Sequence, residues 1–241
     1  MELNMELKNR VAVIAGATGG LGSVVTHELA KQGVNLALLG IDLAKLESLA
    51  QSLNLPDSRL LIRPANLLDP LETKSAAELI VAKFEKIDIL LHVVGGWTGG
   101  KSLLETSSDD LTFMLNQHVW TSFHVIQAFV PYMIRNQWGR LVMISSPYAT
   151  RPNARGGPYA VGKAGQEALI LALSQELKGT GVTANLLQVK TIDMKREKIS
   201  KPSLDNSAWT TPEELTAGIL YLLSEEAGTI NGAKIPLFGS F

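Results

Sequence analysis

Cysteine is missing from all 241 residues, which removes disulfides, thiolate metal ligands and thiol nucleophiles and fits a reducing compartment. Neither sign of charge dominates, with 22 basic against 23 acidic residues and no block of like charge, so an extended surface for nucleic acid or anionic membrane is excluded. A small neutral or anionic molecule is the expected partner. No apolar run approaches the ~18 residues of a membrane span, and the acidic opening MELNMELKNR lacks the apolar core of a signal peptide. These absences lead us to expect a soluble, cytoplasmic protein. The four histidines, His27, His92, His118 and His124, have no metal-ligand spacing, and no metal is expected.

What is present is an alternation of short apolar runs with longer helical patterns. The runs at 10–15, 34–39, 59–62, 87–94, 140–145, 182–188 and 233–238 are continuously apolar, as strands covered on both faces are. Helical periodicity fills 20–32, 42–53, 70–84, 109–135, 159–178 and 212–223. The pattern predicts one domain spanning 1–241, an α/β fold with a doubly wound, Rossmann-type parallel sheet of seven strands and helices on both faces. Residues 190–209 have little apolar content and no period, and are read as a short, mobile substrate lid.

Two constellations carry chemistry. The first strand runs into Gly16-Ala-Thr18-Gly-Gly20-Leu21-Gly22 and then into a helix, the setting of a phosphate-binding turn. There Gly16 takes the tight turn, Gly20 lets the backbone approach a pyrophosphate, and Gly22 brings the helix close while its N-terminus faces the anion. Further on, Tyr159 and Lys163 stand one helical turn apart, and Ser146 lies thirteen residues upstream at the end of a strand, where ligands of open α/β sheets collect. A phenol with a pKa near ~10 is a poor base at neutral pH, but an adjacent ammonium favours the phenolate. Tyr159 can then protonate an alkoxide or deprotonate an alcohol.

Taken together, the glycine pattern 16–22, Asn116 in a long helix, the Ser145-Ser146 pair, Tyr159-Ala-Val-Gly-Lys163, Thr211-Pro-Glu-Glu and Ile230-Asn-Gly-Ala resemble the short-chain dehydrogenase/reductase family. The resemblance covers nearly the whole chain, and its nearest flavour is the 3-oxoacyl thioester reductases. It implies hydride transfer between a nicotinamide dinucleotide and a carbonyl or secondary alcohol substrate, possibly an acyl thioester. It assigns catalysis to Asn116, Ser146, Tyr159 and Lys163. Ser146 would orient the carbonyl, Lys163 would lower the Tyr159 pKa and bind the ribose, and Asn116 would hold a water linking Lys163 to solvent. It also implies a homotetramer built on the helices 109–135 and 159–178. The competing expectation is a non-catalytic, dinucleotide- or ligand-binding member of the same fold.

Four departures from the family pattern surround the dinucleotide. His92-Val93-Val94-Gly95 stands where Asn-Asn-Ala-Gly is usual, which forfeits side-chain hydrogen bonds between the central strands. Asn66, followed by Leu67, replaces an aspartate that faces the adenine, and Val189-Lys190 replaces Pro-Gly beside the nicotinamide. At the end of the second strand, Gly40 and Ile41 stand where an acid or an arginine would select NAD or NADP. With no evident cation to meet a 2′-phosphate and Asp42 nearby to repel it, NAD is expected over NADP. Asp42 either reaches the ribose or caps the following helix.

Overall fold

The computed structural model describes residues 7–238; the opening in which a targeting segment was sought lies outside it up to residue 6. The apolar runs form β1 (Val11–Ala15), β2 (Asn35–Gly40), β3 (Leu60–Pro64), β4 (Ile89–His92), β5 (Gly139–Ser145), β6 (Val182–Gln188) and β7 (Lys234–Pro236). They pair in parallel in the order β3-β2-β1-β4-β5-β6-β7, the seven-stranded sheet expected from the pattern. The helices are α1 (Gly20–Lys31), α2 (Leu43–Leu53), α3 (Pro70–Phe84), α4 (Ser108–Leu115), α5 (Thr121–Arg135), α6 (Gly157–Glu176), α7 (Glu197–Ser200) and α8 (Pro212–Leu223). No helix among the described residues is long and apolar enough to cross a membrane.

Strand alternation divides the core in two. Ala12, Ile14, Leu36 and Leu38 point to one face, where Val25, Leu29, Leu46 and Ile219 of α1, α2 and α8 cover them. Val11, Val13, Ala37 and Leu39 point to the other, against Ile80, Phe129 and Ile170 of α3, α5 and α6. Burying each such side chain contributes about 1.5–3 kcal/mol, so the two layers account for the sheet's rigidity. Helix starts are specified by local chemistry: Asp69 accepts from the amides of Leu71 and Glu72 at the head of α3, and Thr211 with Glu214 forms a capping box at α8.

Two departures from the expected elements matter for function. The helix expected over 109–135 is interrupted by a π-helical turn at Asn116–Trp120, the kind of local widening that re-aims side chains. The run at 87–94 pairs only as far as His92. The Val93 amide still donates to the Ala15 carbonyl at 2.9 Å, after which the chain leaves the ladder and opens a crevice between β1 and β4. That crevice is where the direction of strand order reverses, the place ligands occupy in open α/β sheets.

Residues 190–209 are polar, and polar anchors order them. Asp193 is buried and accepts from the amides of Glu197 and Lys198, both at 2.8 Å, to start α7. Arg196 pairs with Glu213, Lys198 pairs with Glu214 at 3.0 Å, and Ile192 bridges Thr210. The segment is thereby tied to the first turn of α8.

Candidate active site

The crevice holds two hollows of similar size that share Gly19, Val93, Val94 and Gly95. One, of about 360 Å³, is lined by Gly16, Thr18, Ile41, Asp42, Asn66 and Leu67. The other, of about 380 Å³, is lined by Gly20, Leu21, Gly22, Tyr159 and Lys163. Every residue expected to touch the dinucleotide, with Gly95 between, therefore lines one hollow or the other. The glycine turn is closely packed. Gly16 has φ +91°, and a side chain there would press on the Val94 backbone; at Gly22 a Cβ would collide with the Gly16 carbonyl oxygen. Gly20 faces the end of the Met194 side chain, so the 190–209 segment lies on the first turn of α1.

The hollow beside the end of β2 corrects one expectation. Lys45, one turn into α2, also lines this hollow, with its ammonium 3.6 Å from the Asp42 carboxylate, so a cation is available after all. Neither the glycine turn nor the strand end signals it in the sequence, because it stands one turn into the following helix. Of the two expectations for Asp42, the cap is present: its carboxylate accepts from the Lys45 amide at 3.2 Å. Ile41 is 80% exposed at the mouth.

At the other end, Tyr159 and Lys163 line the hollow from the first turns of α6, whereas Ser146, fully buried where β5 ends, lines neither hollow. Burial raises the Tyr159 phenol above its usual 10, and a hydrogen bond with the Ser146 hydroxyl pulls the other way. Lys163 does not act on it as expected. Its ammonium lies 6.0 Å from the centre of the Tyr159 ring and donates instead to the Ile144 carbonyl at 2.7 Å and Gln166 Oε1 at 3.0 Å. Burial lowers Lys163 to about 7, against the pull of Glu167, which favours the charged form. The depressed group in this pair is the amine, not the phenol.

Asn116 is not brought to this site. It is half-buried in the π turn and lines neither hollow; the side chain that does so from this stretch is His118. Nε2 of His118 donates to the Gly96 carbonyl at 3.0 Å, and the ring stands edge-on to Tyr159 with centroids 5.5 Å apart. A signal for it exists in the sequence, since His118 falls on the buried stripe Met114, Ser122, Val125 and Phe129, and Asn116 falls off it. His92, at the end of β4, bonds to a helix and not to a neighbouring strand, with its Nε2 3.3 Å from Thr121 Oγ1 at the start of α5. Because that hydroxyl donates to the Gln117 carbonyl, His92 must carry its proton on Nε2. The buried Nδ1 of each histidine has no hydrogen-bond partner among the described residues. Burial, with Lys163 nearby, lowers both to about 3 and keeps them neutral.

Glu167 also escaped the sequence reading, although it lies four residues beyond Lys163 on the same face of α6. Its buried carboxylate accepts from Ser145 Oγ at 2.8 Å and Gln188 Nε2 at 2.7 Å, and pairs with Lys234 at 3.2 Å. Trp97 and Trp209, both considered as covers for a substrate, line neither hollow.

A model of the short chain dehydrogenase family matches residues 10–202, and the chain belongs to that family. It is an NAD(P)-dependent oxidoreductase. Over 98% of both chains it is 27% identical to the 3-oxoacyl-[acyl-carrier-protein] reductase of Thermotoga maritima. It is also 26% identical to the (2S)-[(R)-hydroxy(phenyl)methyl]succinyl-CoA dehydrogenase subunit BbsD of Thauera aromatica, over 98% of this chain and 97% of that one. Its fold matches the crystal structure of NAD+-bound xylitol dehydrogenase with a TM-score of 0.87 at 20% identity, covering 98% of this chain and all of the other.

Proposed function

We propose that the chain interconverts a carbonyl compound and its secondary alcohol, with Tyr159 exchanging the proton at the substrate oxygen. The observation that carries this reading is the placement of the Tyr159 phenol, with Lys163, on the wall of the same crevice that begins at the glycine turn. The chain's own shape supports a dinucleotide there. The first turn of α1 has no side-chain cap, and the crowding at Gly16 and Gly22 leaves a backbone cradle for an anion. When bound, the nicotinamide supplies or accepts the hydride. Ser146 orients the carbonyl and steadies charge on its oxygen, and Tyr159 donates the proton in reduction and recovers it in oxidation. Lys163, with its pKa near 7, is charged in part of the population at neutral pH and is suited to bind a ribose hydroxyl and re-protonate Tyr159. We assign the place beside this pair to His118, not to Asn116.

The similarity to 3-oxoacyl reductases supports an acyl thioester as one candidate substrate. For the cofactor, Asp42 opposes a 2′-phosphate and Lys45 attracts it, so discrimination is small; NAD, which needs no counter-charge, keeps a narrow preference. We further infer a homotetramer in the cytoplasm. Apolar side chains left exposed on α4, the π turn and α6, among them Phe113, Trp120 and Val161, support the assembly.

Two measurements test the reading. Titration with NADH and NADPH should show binding of both, with affinities within roughly ten-fold, and Lys45→Ala should weaken NADPH selectively by about 1 kcal/mol or less at this exposed position. Tyr159→Phe should lower turnover by at least ~10²-fold while fold and dinucleotide affinity persist. Near-normal turnover in that variant refutes the assigned chemistry, and binding of neither dinucleotide moves the chain to the non-catalytic reading.

A further inference from the structure

A third hollow, of about 520 Å³, adjoins the catalytic crevice at Lys190, which lines both. Its walls come from the turn that follows Ser146 and from the ends of β6 and β7. Arg151, Lys190 and Lys234 line it together with Tyr148 and Gln188, and no aspartate or glutamate does. In a chain whose net charge is -1, three cations around one acid-free hollow are a local concentration of positive charge.

Among the described residues the cations are not used up. Neither Arg151 nor Lys190 enters an ion pair among the described residues; the Lys190 ammonium stands 5.7 Å over the Phe238 ring. Lys234 pairs with Glu167, but that carboxylate also accepts from Ser145 and Gln188, and an ammonium has three donors. Arg151 adds a planar fork suited to two oxygens of one anion. A neutral or apolar substituent would gain nothing from these groups and would strip them of water.

We propose that this hollow is the anion-binding half of the substrate site, so that the substrate is a carbonyl compound carrying a carboxylate or phosphate close to the reacting carbon. This rests on the carbonyl chemistry proposed above. The carbonyl lies against Ser146 and Tyr159, and the anionic group extends past Tyr148 to Arg151 and Lys190. Both candidate groups present several acceptor oxygens to the same donors.

The test uses matched pairs with saturating NADH and NADPH: 3-oxobutanoate against its ethyl ester, and dihydroxyacetone phosphate against dihydroxyacetone. The charged member of at least one pair should show the higher kcat/KM by about ten-fold or more, and the pair that responds separates carboxylate from phosphate. Arg151→Ala should raise KM for the charged member by roughly ten- to a hundred-fold, the range for a lost charge-assisted hydrogen bond, with a smaller effect on kcat; Lys190→Ala should do the same. Equal efficiency within both pairs, or an unchanged KM in both variants, overturns the proposal. If no compound turns over, the carbonyl reading is what fails, and calorimetric titration with malonate and with inorganic phosphate decides the anion site independently. Binding to the wild type that weakens in Arg151→Ala supports it, and no binding refutes it.

Discussion

Lys163 directs its ammonium into the protein, toward the Ile144 carbonyl and Gln166, and so titrates close to neutrality in place of forcing Tyr159 to do so. Residue type and spacing identified the pair; which of the two carries the perturbed proton depends on burial, which spacing does not reveal. The same distinction applies to His92. In the folded chain it stays neutral down to about 3, whereas in the unfolded chain it takes a proton near 6.5. The unfolded state therefore binds more protons between those values, and stability falls as pH drops through that window. At about pH 5 this one histidine should cost roughly 2 kcal/mol relative to neutral pH. His92→Asn, which keeps a polar group beside Thr121, should lose that much less stability in urea unfolding compared at about pH 7.5 and 5. An equal loss in both proteins would show that His92 is not buried and neutral.

Elements with continuous apolar runs were legible before the structure, because a strand covered on both faces has one composition whatever its neighbours; β1, β2, β5 and β6 appear where expected. Elements whose shape depends on a partner were not. The π turn at Asn116–Trp120 leaves no local trace in composition, and so residue type pointed to Asn116, whereas the side chain of this stretch that lines the hollow is His118. In 190–209 the lack of apolar period pointed to a lack of self-packing, and the order found there comes from polar groups, Asp193 foremost. Besides the Ile192–Thr210 bridge, the side chains that tie the segment to the rest of the chain, Glu213 and Glu214, lie beyond it in α8. Those ion pairs are exposed and each contributes no more than about 1 kcal/mol. Opening of this segment should therefore be much easier than opening of the sheet. Amide exchange across 190–209 should be fast in the free protein and slow when dinucleotide is added; protection equal to that of β5 without ligand would refute a mobile lid.

For the whole molecule, the exposed apolar side chains on α4, the π turn and α6 predict a light-scattering mass near four times the 26.0 kDa chain; a monomeric mass would remove the inferred assembly. Met194 has a further consequence, one of timing. Its side chain rests on Gly20 at the head of α1, while Lys190, four residues earlier, stands between the crevice and the basic hollow. One short segment thus touches the places proposed for both ligands. A substrate held at Lys190 would fasten the segment over the glycine turn and trap whatever lies beneath, so the dinucleotide must arrive first and depart last. Steady-state kinetics should follow a compulsory order, with the product dinucleotide inhibiting competitively against its partner form and the carbonyl product not doing so. Random-order patterns would mean that the segment opens independently of the substrate it touches.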